Sequence, residues 1–262
     1  MSINCLSSVQ SLVRKSSVSA PIVYTKTVQP TKLRIWYKFV GNVTNSAPNY
    51  SGSNNGTIVL GAGATNTQVA VSPVISANTS ITNMNTFNGG GTSSGNYSFI
   101  DLQTISSLTL SQGFTICMFI YSTKNSGGDT YILALNNQGV SGGNYPGGLC
   151  ISQSANTPYD KYVFNNGGVT NAATITPNTW VHYAVTINSS NVYNVYLNGV
   201  LTLANITNPY SYPTATNFTI NSLGSYSPAG PHNTFKGNMA DYRLYNTVLT
   251  AGEINAIYIG TG

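Results

Sequence analysis

The chain has 262 residues, enough for one full core, and only 6% of them are charged, against roughly 25% in ordinary soluble domains. The net charge of +5 is unevenly placed: Arg14, Lys15, Lys26, Lys32, Arg34 and Lys38 carry six of the ten positive charges, and the first acidic residue is Asp101. Beyond Lys38 four cations meet five anions, so this remainder is nearly neutral and polar mainly through Asn, Ser, Thr, Gly and Tyr, which excludes nucleic-acid readout and suits hydrogen bonding to neutral polymers or close packing in an assembly.

Residues 1–32 read as a basic arm. Ile3, Leu6, Val9, Leu12 and Val13 recur at three- and four-residue spacing and predict a short amphipathic helix, after which Pro21 and Pro30 favour extended chain. Such a helix is marginal alone and needs something to lie against. The arm is therefore expected to dock on the body or on a protein partner in an assembly. No apolar stretch followed by a small-residue cleavage site marks a signal peptide, and no run approaches the roughly 20 apolar residues of a membrane span. Cys5, Cys117 and Cys150 fit no zinc spacing; Cys117 falls in an apolar run, where a buried thiol is the commoner outcome and a pairing with Cys150 the rarer one.

The body, 33–262, begins with a strand in which Leu33, Ile35, Tyr37 and Phe39 alternate with Arg34, Trp36 and Lys38, whose charges suit a sheet edge. Residues 41–56 and 73–96 read as loops around short strands at Thr57–Leu60 and Gln68–Val71. Further strands follow at Tyr97–Leu102, Phe114–Tyr121, Tyr131–Leu135, Leu149–Ser152 and Lys161–Phe164. In Trp180–Ile187 the residues Val181, Tyr183, Val185 and Ile187 share one face, with Trp180, His182, Ala184 and Thr186 on the other. Tyr193–Leu197 and Val200–Leu203 then flank Asn198-Gly199, a dipeptide that tolerates the positive φ a two-residue hairpin needs. Phe218–Leu223 and Phe235–Tyr245 are the last strands, the latter placing Asp241 and Arg243 on one face as a structural pair. A single short helix closes the chain: Thr250 and Glu253 form a capping box, Leu249 and Ile254 a hydrophobic staple, and Ile254, Ile257 and Tyr258 face the body. Short punctuated strands with almost no helix predict an all-β fold of two packed antiparallel sheets.

In order, W-x-H-x-A-x-T from Trp180, Y-x-V-Y-L-N-G-V from Tyr193 and F-x-G-x-M-A-D-x-R-L-Y-N-x-x-L-T-x-x-E-I from Phe235 resemble the second half of a laminin G-like domain of the concanavalin A-like lectin superfamily. LRIWYKFVG at the start and GFTICMFIYS in the middle resemble that family's first and central strands. The resemblance spans 33–260 and implies a jelly-roll sandwich that serves as a binding or structural module, holding ligands on rim loops or the concave face.

Hydrolysis of a glycosidic bond needs two carboxylates flanking a cleft. Enzymes of the resembled superfamily carry them two to four residues apart on one strand, whereas no two of the five acidic residues here are that close, so no catalytic residue is assigned. His182 reads as a hydrogen-bonded structural histidine, since no nucleophile signature accompanies it. The glycine-rich 139–148 lacks the Lys-Ser/Thr of a phosphate loop. Calcium, which some laminin G-like domains hold, has only weak candidates in Asp129 and Asp160, because the ion wants six to eight oxygens and more than one carboxylate. No cofactor is expected. Tyr145, Tyr159, Tyr210, Tyr212 and Tyr226 stand among Asn, Ser, Thr and Pro in predicted loops and are the candidate glycan platform. The leading expectation is a non-catalytic structural or surface component of a larger assembly, by analogy a large DNA virus particle, anchored by its arm; the alternative is a lectin-type module for cell-surface glycans.

Overall fold

The computed structural model describes residues 27–52, 54–91, 96–106, 112–123, 130–136, 149–153, 161–166, 169–207, 217–218, 220–226 and 233–262. In chain order the strands are β1 (Leu33–Tyr37), β2 (Thr57–Leu60), β3 (Asn66–Ala70), β4 (Asn83–Gly91), β5 (Ser98–Asp101), β6 (Ile105–Ser106), β7 (Phe114–Ser122), β8 (Thr130–Asn136) and β9 (Leu149–Gln153). They continue as β10 (Lys161–Asn166), β11 (Val169–Thr174), β12 (Trp180–Ile187), β13 (Val192–Leu197), β14 (Val200–Thr207), β15 (Asn217–Phe218), β16 (Ile220–Leu223) and β17 (Thr234–Tyr245). The helix α1 (Ala251–Tyr258) follows.

The strands make an all-β jelly-roll sandwich of two layers. One layer runs β14-β13-β12-β7-β17, with β1 and β4 sharing the far edge of β17 and β3 beyond β4. The other runs β11-β10-β9-β8-β16-β5-β2. The layers are joined by one parallel pair, Thr234 opposite Tyr131. The inward faces interdigitate in one core: Val181, Tyr183, Val185 and Ile187 of β12 meet Leu133, Leu135, Leu149 and Ile151 from the opposite layer. Fully burying each such side chain contributes about 1.5–3 kcal/mol, so this face sets the register of the whole sandwich.

Strand β17 departs from simple alternation. Ala240 lies opposite Phe119 and Arg243 opposite Cys117, so Asp241 and Tyr242 together face one residue of β7. Asp241 has φ 51°, the left-handed conformation of a bulge. Ahead of the bulge Phe235 and Met239 point inward; after it Tyr242 and Leu244 do. Unbroken alternation would have carried Asp241 and Arg243 into the core with Met239. The bulge keeps the charged pair off the inner face and turns Tyr242 and Leu244 in, each such burial contributing about 1.5–3 kcal/mol.

A second irregularity corrects the reading of β1. Leu33 pairs with Tyr245 and Ile35 with Leu244, so the register slips at Arg34. Leu33 therefore joins Tyr245, Cys117, Leu249 and the helix residues Ile254 and Ile257 in an outer cluster, while Ile35, Tyr37 and Phe39 enter the core. The free edge of β1 is closed by Asn45, whose Oδ1 accepts from the Trp36 N–H at 2.9 Å and whose amide donates to the Arg34 carbonyl at 2.8 Å. Residues 73–96 are not all loop: β4 lies within them, anchored by Phe87 and Met84 and paired on both sides, and such tertiary pairing overrides the weak strand propensity of its Asn and Gly. The strand β11 falls in the unassigned stretch after Phe164 for the same reason.

The outer face of the β17 layer is covered by α1. Thr250 accepts from the Glu253 N–H at 3.2 Å, and Glu253 Oε2 accepts from the Thr250 N–H at 2.8 Å. Glu253 Oε1 accepts in turn from Gln29 Nε2 at 2.6 Å, and Val28 is buried in the cluster under the helix. The arm's last residues thus lie against α1; residues 1–26, including Cys5 and the predicted amphipathic helix, lie outside the described residues. Cys117 and Cys150 do not pair: one is buried under α1, the other on the outward face of the opposite layer.

The Asn198-Gly199 turn has φ 50° and 77°, as a two-residue hairpin requires. The Gly199 Cα also sits so near α1 that a Cβ would stand 2.6 Å from Asn255 Oδ1. Gly199→Ala is expected to lower stability by about 1–3 kcal/mol through left-handed strain and this clash, read as a lower urea midpoint with unchanged slope.

Candidate functional site

Because β1 and β4 follow one another along the same edge of β17, a gap opens where one ends and the other begins. The pairing of β1 stops at Tyr37 opposite Tyr242, and that of β4 starts at Asn85 opposite Met239, which leaves the Asp241 bulge between them. Over this gap lies a cleft of about 270 Å³. Asp241 and Arg243 form its floor, Trp36 and Lys38 one wall, and Thr82 and Asn83 the other.

The floor is a closed charge network. Arg243 Nη2 lies 3.0 Å from Asp241 Oδ2, and Arg243 Nε donates to Asp241 Oδ1 at 3.1 Å, with both side chains buried. The Trp36 indole N–H donates to the same Oδ1 at 2.6 Å. Trp36 is the direct cross-strand partner of Arg243, whose guanidinium stands 4.6 Å from the indole centroid. Burial pushes the Arg243 guanidinium toward neutrality, but the Asp241 carboxylate and Tyr245 hold it firmly charged. A carboxylate buried against an arginine and an indole N–H supplies structure here. Lys38 is different. Its ammonium sits 3.9 Å from the Trp36 ring centroid at the rim, exposed, and among the described residues no carboxylate lies within 4.0 Å of it.

His182 lies on the same outward face, away from the cleft. Its backbone N–H donates to Asn198 Oδ1 at 2.9 Å, tying β12 to the hairpin turn. The ring is wholly buried between Phe119 and Tyr258, with centroids 4.8 and 5.8 Å away. Neither ring nitrogen has a hydrogen-bond partner among the described residues, which corrects the expectation of a hydrogen-bonded imidazole: aromatic packing fixes this ring. Burial pulls its pKa down to about 3, with Asp241 opposing and Arg243 reinforcing the shift. Beside it, Trp180 donates its indole N–H to the Pro73 carbonyl at 2.6 Å and packs on Tyr121, bordering a second depression of about 250 Å³.

Of the tyrosines expected to form a glycan platform, Tyr226 is half-buried and packs against Tyr131 at 4.9 Å on the other layer. Tyr145, Tyr159, Tyr210 and Tyr212 lie outside the described residues, as do the calcium candidates Asp129 and Asp160. Among the described residues no three His, Cys, Asp or Glu side chains gather where they could hold a metal ion. The described acidic residues are dispersed: Asp101 accepts from the Gln103 N–H in β5's turn, Asp241 is ion-paired and Glu253 caps α1. Trp36, Lys38, Thr82 and Asn83 are not site candidates in the sequence pattern: their one signal is the W-x-K alternation on the first strand, whose charges equally suit a sheet edge.

A family model described as the concanavalin A-like lectin/glucanases superfamily matches residues 94–255, more than half of the chain. No curated protein matches by sequence. Among solved structures, the chain is similar to domain 4 of AbnA, an extracellular arabinanase from Geobacillus stearothermophilus seen with arabinotriose: TM-score 0.60, 19% identity, covering 87% of this chain and 98% of that one. It is also similar to the binding domain of botulinum neurotoxin DC in complex with SialylT (TM-score 0.54, 12% identity, 89% of this chain and 52% of that one). A third is the ligand binding domain of botulinum neurotoxin serotype D in complex with N-acetylneuraminic acid (TM-score 0.54, 13% identity, 88% and 51%). The chain spans about half the length of both toxin domains.

Two outcomes are expected from the buried groups. Asp241→Asn leaves the Arg243 charge buried and unpaired and should cost about 3–5 kcal/mol in urea unfolding, much of it regained in Asp241→Asn/Arg243→Met. For His182, the unfolded chain takes up a proton below pH 6.5 that the folded chain refuses until about pH 3, so stability falls as pH drops through that window. At about 1.4 kcal/mol per pH unit, native protein should lose about 2 kcal/mol at pH 5 relative to pH 7.5, and His182→Leu should abolish that part of the loss.

Proposed function

Because the chain belongs to the concanavalin A-like lectin/glucanase superfamily, we propose that it is a non-catalytic sugar-binding module whose contact surface is the cleft between β1 and β4. The observation that carries this reading is the cleft itself, an open hollow with an aromatic wall, hydroxyl and amide groups opposite, and a carboxylate locked in an ion pair. Neutral hydrogen-bonding groups beside an aromatic side chain suit a carbohydrate. A low-charge surface suits it too, since sugar hydroxyls exchange water for Asn, Ser and Thr at little desolvation cost. No metal and no general acid enter this reading.

A second reading concerns the arm. Gln29 and Val28, the described end of the arm, are held against α1, on the same face as the cleft. This favours an anchoring role in a larger assembly, for which a large DNA virus particle is the proposed setting. The two roles are compatible, with the arm gripping a partner and the cleft left open.

For the sugar-binding reading, full-length chain on a glycan array should give a discrete set of hits. Thr82→Trp, which fills the cleft from an exposed position, should weaken them roughly tenfold or more, about 1.4 kcal/mol, while Tyr210→Ala/Tyr212→Ala should not. An empty array, or hits indifferent to Thr82→Trp, would sink the reading. For the arm, deleting residues 1–26 should leave the urea transition intact and abolish co-assembly in its native particle; normal incorporation of the truncated chain would refute the anchor.

A further inference from the structure

We infer that the cleft's ligand is an acidic glycan, a sugar whose carboxylate is bound by Lys38; this rests on the sugar-binding reading above. The argument starts from charge bookkeeping in the cleft. It holds three charges, and two of them, Asp241 and Arg243, cancel in an ion pair further held by the Trp36 N–H. The third, Lys38, has no carboxylate within 4.0 Å among the described residues. Its ammonium is nevertheless held over the Trp36 ring at 3.9 Å, so much of the entropy of fixing a long flexible side chain has been met before a ligand arrives.

The same indole is fixed from below. Its N–H is bound to Asp241 and Arg243 lies against the ring, which makes Trp36 a rigid support for the ammonium. Opposite, Thr82 Oγ1 donates to Asn83 Oδ1, and both side chains line the cleft. A pyranose seated between these walls meets neutral donors on one side and a positioned cation on the other. Elsewhere in the cleft no free negative charge would repel a carboxylate, because the Asp241 oxygens are engaged. Few competing charges exist on the body, whose sequence holds five acidic residues.

The test uses full-length chain and matched probes, 3′-sialyllactose and trigalacturonate, each as free acid and as methyl ester, measured by calorimetry at low salt. The acids should bind about tenfold to a hundredfold more tightly than their esters, the range of a hydrogen bond to a charged group. Lys38→Met should erase that preference, Lys38→Arg should retain it, and 0.5 M salt should shrink it. Equal binding of acid and ester, or a preference that survives Lys38→Met, overturns the acidic assignment while leaving sugar binding in place. Competition by acetate at the same concentration as the sugar acid makes this a simple anion site and overturns the glycan assignment. Failure of acids, esters and unsubstituted lactose alike removes both readings. Because Lys38 is exposed, none of these variants disturbs the buried floor.

Discussion

The Asp241–Arg243 pair is the constraint from which the organisation of this face follows. Two charges sit in the middle of the longest strand, flanked by Met239, Tyr242 and Leu244, all of which belong in the core. Period-two alternation cannot satisfy both groups, and the left-handed residue at Asp241 resolves the conflict by adding one position to the strand. Desolvating two ions costs several kcal/mol each, a cost offset only when every lone pair and N–H finds a partner. Here Oδ1 takes the Arg243 Nε–H and an indole N–H, Oδ2 has an ion-pair contact with Nη2 but no hydrogen bond, and the guanidinium reaches Tyr245 and the Gly262 carbonyl as well. The pair is thus better understood as a device that sets which face each residue of β17 presents than as a source of net stability.

The bulge also explains why a cleft exists on a sheet that is otherwise continuous. A neighbouring strand pairing along all of β17 would have to follow its extra residue. Instead two separate strands, β1 and β4, each take one half, and the site of the irregularity is left uncovered between them. The same residue that keeps the core apolar therefore opens the surface above it. Trp36 lies at the junction because it is opposite Arg243 across the ladder, and Lys38 follows two residues later on the same face.

Much of this architecture can be read from sequence, and the parts that cannot share one cause. The alternation in Trp180–Ile187, the Asn198-Gly199 turn and the Thr250–Glu253 capping box are local signals, and each specifies its element without help from distant residues. β4 and β11 carry no such pattern, being rich in Asn, Gly and Thr, and exist as strands because neighbours pair with them. The register slips at Arg34 and Asp241 are likewise invisible in a one-dimensional pattern, since the residues on either side still alternate plausibly within short windows. The cleft depends on both at once, a strand without a local pattern and a bulge. That is why its lining residues Trp36, Lys38, Thr82 and Asn83 carry no site signal in the sequence while the pair beneath them does.

His182 and Lys38 show how the same outward face treats two basic side chains in opposite ways. His182 is sealed beneath Phe119 and Tyr258, and an imidazole so placed stays neutral because no partner repays the loss of water. Lys38 stays exposed to water, and the aromatic ring beneath it orients the ammonium. On a surface crowded with charge such a distinction would matter little, since screening and competing ion pairs would blur it. With charged residues at 6% of the chain, a cation with no carboxylate within 4.0 Å among the described residues stands out at the mouth of a polar hollow.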